Sequence, residues 1–143
     1  MDKRKTTGEL VNELSGVGNI REYFAGNETE LDGSTLPGRL QELADQAGIN
    51  RSELAALARV DRFYTYDIFS GRKNPSTDKL ICLILALQTD LDTAQELLRL
   101  AGRSMLYARF PRDSILIYAI QHQLTVEKTN ELLFESGQPT LTR

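Results

Sequence analysis

Three observations predict an all-α fold for this 143-residue chain. Apolar residues recur at helical spacing throughout, and no stretch keeps a period-two alternation for long. Most candidate segments also open on a Ser, Thr, Asn or Asp suited to capping and close on a glycine. The chain divides into an N-terminal helical appendage over residues 1–33, a central five-helix region over 34–102 and a C-terminal helical extension over 103–143.

The appendage is read as two short helices. The first covers about 7–15, starts at Thr6 or Thr7 and ends near Ser15-Gly16. The second covers about 19–25, carries Ile20, Tyr23 and Phe24, and stops at Gly26-Asn27. Glu28 to Ser34 is acidic and ends in the turn signal Asp32-Gly33-Ser34, which marks a solvated link to the core.

Pro37 suits the first turn of a helix capped by Ser34 or Thr35, where a missing N–H costs nothing. That helix presents Leu36, Leu40, Leu43 and Ala47, and Gly48 stops it. Asn50 followed by Glu53 forms a capping box for the next helix, which carries Leu54, Ala55, Leu57 and Ala58. Asp61 caps the one after, ending at Gly71. Leu54, Leu57, Val60, Ile68 and Phe69 fall where two crossed helices bury one shared core. A projection from Arg62 puts Thr65, Ile68 and Phe69 inward, Tyr64 at the edge, and Phe63, Tyr66, Asp67 and Ser70 outward.

Asn74-Pro75-Ser76 breaks the chain and recaps it for Leu80 to Leu87. Asp90 caps Leu91 to Ala101, which Gly102 closes. In the connector from Arg103 to Pro111, Met105, Leu106, Tyr107 and Phe110 are expected to anchor onto the core. Arg112 to Gln123 and Val126 to Ser136 then read as an antiparallel helical pair, the second capped by Thr125 and stopped by Gly137. Ile115, Leu116, Tyr118, Ala119 and Ile120 are set to face Val126, Leu132, Leu133 and Phe134, and the pair either packs on the core or makes a dimer.

Composition narrows the function. The net charge is −3, yet residues 51–112 alone carry 10 basic against 7 acidic side chains. Arg51, Arg59, Arg62, Arg72 and Lys73 cluster there, and no acid interrupts Arg99, Arg103, Arg109 and Arg112. Those last four read either as a phosphate-contacting flank or as charge partners for the acidic N-terminal segment. Cys82 is the one cysteine, so no internal disulfide forms and a reducing compartment fits. A start without an apolar signal core, and a longest apolar run far too short for a bilayer, point to a cytoplasmic protein off the membrane. The one histidine, His122, reads as a solvated side chain at a helix C-terminus. No metal-ligand spacing, nucleophile elbow or phosphate loop is present, so neither an enzyme nor a cofactor is expected.

Gly48-Ile49-Asn50, Leu54-Ala55, Val60, Ile68 and the run Gly71-Arg72-Lys73-Asn74-Pro75-Ser76 are together a fairly specific combination. On these residues, 36–100 resemble the Cro and lambda-repressor-like helix-turn-helix family of the xenobiotic-response-element type. Asp78-Lys79-Leu80, Leu106-Tyr107, Arg112-Asp113 and Asn130-Glu131-Leu132-Leu133 look like a longer bacterial subgroup with added terminal helices. The resemblance implies a transcriptional regulator, acting as a homodimer on double-stranded DNA, with the helix at about 61–71 in the major groove. By position, Arg62, Phe63 and Asp67 would face bases, with Tyr66 on the same outward face, and Arg51, Arg72, Lys73 and Asn74 would face phosphates.

The chain departs from that pattern in places. Arg59 stands where the family has a turn glycine, and Ala44 and Phe69 replace a buried arginine and glutamate. The outward face is aromatic with one acid, and Arg62 is its one basic residue. Such a face also suits a helix-turn-helix fold repurposed for protein interaction through Phe63, Tyr66 and Asp67. Stacking of single-stranded bases is a third reading.

Overall fold

The computed structural model describes residues 5–27 and 34–142, and every regular element among them is an α-helix. The basic start and the acidic link at 28–33 lie outside the described residues. The chain forms two compact units, split between Gly33 and Ser34.

The first unit holds α1 (Thr7–Gly16) and α2 (Ile20–Gly26). Thr6 and Glu9 form a reciprocal capping box, the Thr6 hydroxyl accepting from Glu9 N–H and the Glu9 carboxylate from Thr6 N–H. Asn19 caps α2 by accepting from Glu22 N–H. Asn27 closes the unit: its amide donates to Glu13 at 2.7 Å and to the Tyr23 carbonyl at 3.0 Å, while Lys5 donates to its oxygen at 2.6 Å. Of the apolar residues expected on α2, Tyr23 is buried, whereas Ile20 and Phe24 are exposed.

The second unit contains α3 (Leu36–Ala47), α4 (Arg51–Ala58), α5 (Arg62–Ser70), α6 (Thr77–Leu87), α7 (Leu91–Leu100), α8 (Pro111–Gln121) and α9 (Val126–Glu135). Its centre is α6, in which Leu80 through Leu85 and Leu87 are all buried. A helix apolar on every side must be surrounded by others, and α3, α4, α7, α8 and α9 all pack on it. Pairing of α4 with α5, and of α3 with α5 and α7, completes the layer around this axis.

Caps set the element boundaries. Thr35, Asn50, Asp61, Ser76, Asp90 and Thr125 each accept a hydrogen bond from the backbone N–H three residues on. At Asn50 the structure forms the asparagine half of the expected box. Pro111, not Arg112, begins α8, because Phe110 offers no side-chain cap and proline supplies a preset φ in the first turn. Ser76 starts α6 at Thr77, three residues before the apolar run.

Several expected core contacts are corrected. Leu57 is 56% exposed, since α4 turns Leu54, Ala55 and Ala58 inward instead. Ala47 is exposed at the end of α3. Of the four connector anchors only Leu106 is buried; Met105, Tyr107 and Phe110 stay exposed, and the two aromatic rings meet edge to face at 6.0 Å. Gln95 holds Leu106 in place, donating to its carbonyl at 2.9 Å and accepting from its N–H at 2.8 Å. The pair α8 and α9 packs on the core through Leu116, Ala119, Ile120, Val126 and Leu133, while Tyr118 and Phe134 point to solvent. His122 ends α8 with its ring 4.1 Å from Tyr118.

Beyond α9 the chain returns as a strap. Leu141 is buried, and the Asn130 amide uses both its oxygen and its nitrogen on the end of the strap, accepting from Leu141 N–H at 2.8 Å and donating to the Thr142 hydroxyl at 2.9 Å. Arg112 donates to the Pro139 carbonyl at 3.0 Å.

Candidate functional site

Inward anchoring of α5 determines what it shows to solvent. Thr65, Ile68 and Phe69 are buried, and the Thr65 hydroxyl donates to the Asp61 carbonyl at 3.0 Å, so it carries no unpaired polar atom into the core. The opposite face presents Phe63 at 66% and Tyr66 at 37% exposure, together with Arg62, Asp67 and Ser70. Two left-handed residues frame the helix. Gly71 (φ 81°) ends it, and Arg59 (φ 57°, ψ 36°) ends α4 before the turn. An arginine pays about 1 kcal/mol or more for that conformation, and here its guanidinium is ion-paired to Glu127 on α9.

The basic residues around α5 are organised by its aromatic rings. Arg51 lies 5.1 Å from the Phe69 centroid and also donates to Gln41 at 3.0 Å. Arg62 lies 5.2 Å from the Phe63 ring. Lys73 and Lys79 share the Tyr64 ring, at 5.2 and 4.8 Å. A cation over a ring face keeps its charge while its reach is restricted, so these four stand at the two ends of α5 and beside its edge. Asp67 sits between Arg72 at 3.9 Å and Lys73 at 4.0 Å. Its carbonyl accepts from Arg72 N–H and Lys73 N–H at 2.9 and 3.2 Å, which folds the following loop back toward the helix.

The expected site residues are thus sorted. Arg62, Phe63, Tyr66 and Asp67 share the outward side of α5, and Arg51, Arg72 and Lys73 flank it. Asn74 is different: its amide nitrogen donates to the Ala101 carbonyl at 2.8 Å, tying the loop to the end of α7. Lys79 was not foreseen, because its place over Tyr64 depends on how α6 packs relative to α5. Two of the arginines in the run Arg99 to Arg112 have partners within the second unit. Arg112 forks onto Asp78 at 3.0 and 3.2 Å, and Arg103 donates to the Pro75 carbonyl at 3.1 Å.

Between the start of α4 and the outer side of α5 lies an open cleft of about 570 Å³, lined by Asn50, Arg51, Ser52, Tyr66, Asp67, Ser70 and Arg72. Away from it, burial pushes the Cys82 thiol up to about 11, the nearby Asp78 charge adding to the effect and Lys79 offsetting part of it. Among the described residues no helix is long and apolar enough to cross a membrane. No known protein family, curated protein or solved structure matches the chain.

Proposed function

We propose that the chain is a DNA-binding regulator in which α3 to α7 form a five-helix, lambda-repressor-like core and α4 and α5 its helix-turn-helix. In this reading α5 enters the major groove, Arg62 making a bidentate contact to guanine and Phe63 packing on a thymine methyl. Arg51, Arg72, Lys73 and Lys79 meet phosphates on either side. The observation that carries the reading is the cationic frame: four basic side chains border one exposed helix face, three of them braced against aromatic rings of α5. Two copies, bound at successive major grooves, would act by occupying a promoter.

A titration against DNA from its own upstream region, at two salt concentrations, tests this. Four neutralised phosphates per copy correspond to about a hundredfold loss of affinity between roughly 50 and 200 mM salt for one copy, and about ten-thousandfold for the bound pair. Arg62→Ala should cost about 1–3 kcal/mol at its cognate site while leaving the salt slope unchanged. Binding no tighter than to unrelated DNA would reject the proposal.

One observation favours a second reading, protein recognition through the same helix. Phe63 is 66% exposed with the Arg62 guanidinium over its ring, the aromatic and arginine chemistry on which interface centres rely. Here Phe63→Ala with Tyr66→Ala would abolish capture of a protein partner, and DNA affinity would be negligible throughout.

A further inference from the structure

We infer that the cleft between α4 and α5 binds a guanine nucleotide. Asp67 supplies the recognition element. Its carboxylate makes no hydrogen bond among the described residues; Arg72 and Lys73 stand at 3.9 and 4.0 Å, near enough to hold its charge but outside hydrogen-bond range. A carboxylate is an acceptor only, with two oxygens side by side. The ligand group that matches it is a planar pair of adjacent donors. Among the common bases only guanine has this on its Watson–Crick edge, through N1–H and the N2 amino group. Adenine and cytosine each set an acceptor beside their amino group, and uracil sets acceptors around its single donor.

The rest of the cleft supplies what a nucleotide needs beyond the base edge. Tyr66, next to Asp67, is 37% exposed and offers a ring face for stacking. Arg51 lines the same cleft and provides a guanidinium group for a phosphate, while Arg72, 3.9 Å from Asp67, stands at the base edge, where guanine O6 accepts. Asn50 caps α4 through Glu53 N–H, which leaves Ser52 N–H without an intrahelical acceptor at the cleft wall. The same chemistry serves a free mononucleotide or the 5′-phosphorylated guanine end of a single strand.

Occupation of this cleft covers Tyr66 and Asp67, so the nucleotide and duplex DNA would exclude one another. That regulatory consequence rests on the DNA-binding reading; the nucleotide site itself does not.

Calorimetric titration of the full chain with GMP, AMP, CMP and guanosine tests the site without DNA. Two charge-assisted hydrogen bonds to guanine predict that GMP binds about tenfold or more tightly than AMP or CMP. Asp67→Asn should erase this preference, and Arg51→Ala should weaken GMP and AMP by the same factor. Guanosine should bind more weakly than GMP, and comparison of GMP with 5′-phosphorylated GpUpU identifies the source. Equal binding of GMP and AMP, or no GMP binding at millimolar concentration by a chain whose amide spectrum is folded, overturns the site. If GMP binds and leaves a preformed DNA complex intact, the exclusion is overturned. If the chain binds no DNA at all, the nucleotide result stands on its own.

Discussion

Arg112 grips Asp78 with both terminal nitrogens of its guanidinium, at 3.0 and 3.2 Å across 34 residues of sequence. The pair is half-buried, and Arg112 uses its remaining Nε–H on the Pro139 carbonyl. It joins the first turn of α6 to the start of α8 and to the C-terminal strap.

Removal of that grip should be felt more than loss of an ordinary surface ion pair. Arg112→Ala is expected to cost about 1 to 2 kcal/mol, since a bidentate pair and a bond to a main-chain carbonyl go together. Arg112→Lys should restore only part of this, because an ammonium cannot reproduce the fork. Urea denaturation of the two variants and of Asp78→Ala, compared in a double-mutant cycle, measures the coupling.

The left-handed Arg59 sets up an opposing pair of effects. Arg59→Gly relieves about 1 kcal/mol of backbone strain but removes the ion pair with Glu127, an exposed contact worth about 0–1 kcal/mol. The net change should be small in the native background and clearly stabilising in Glu127→Gln, where the pair is already gone. Arg59→Val should destabilise in both, as a β-branched residue tolerates positive φ least. Thermal midpoints of the set decide the matter.

Acid should weaken α7 first at its cap. The Asp90 carboxyl is held below the usual carboxylate range by the Thr93 backbone N–H and then by the Thr93 hydroxyl. A depressed native value means that the cap's contribution is complete above about pH 4, the unfolded value, and is lost as pH falls through the native one. Asp90→Asn keeps a capping oxygen, so it should flatten this part of the acid limb, whereas Asp90→Ala should cost about 1 kcal/mol at neutral pH. Stability measured by denaturant between about pH 2 and pH 6 checks both expectations.

Cys82 should be chemically silent in the folded chain. It is fully buried on α6, and its thiol is pushed up to about 11, so almost no thiolate exists at neutral pH. An aromatic disulfide reagent is expected to label it stoichiometrically in guanidinium chloride and at a negligible rate in buffer. Rapid labelling of the native protein would contradict the burial of α6.

The helices and their starts were legible because capping is local. Thr6, Asn50, Asp61, Asp90 and Thr125 need only a backbone N–H three residues away, and the residue type alone marks the place. The sidedness of α5 was equally readable, since burial of Thr65, Ile68 and Phe69 follows from a single helical projection. Leu57, Met105, Tyr107, Phe110, Tyr118 and Phe134 were not, because an apolar residue can satisfy the period and still lack a neighbour to cover it. The site divided in the same way. Arg62, Phe63, Tyr66 and Asp67 follow from one helix, whereas Lys79 over Tyr64, Asn74 on Ala101 and Arg112 on Asp78 depend on elements brought together from a distance.

The pairing of Arg59 with Glu127 also has a bearing on how the chain folds. It spans 68 residues and can form only after α4 and α9 have met, whereas the contacts of Asn130 with the strap are near in sequence. Interactions of such separation, absent from the barrier, slow escape from the native state without hastening its formation. Glu127→Gln should therefore raise the unfolding rate and leave the refolding rate nearly unchanged, so that this long-range pair extends the lifetime of the folded chain.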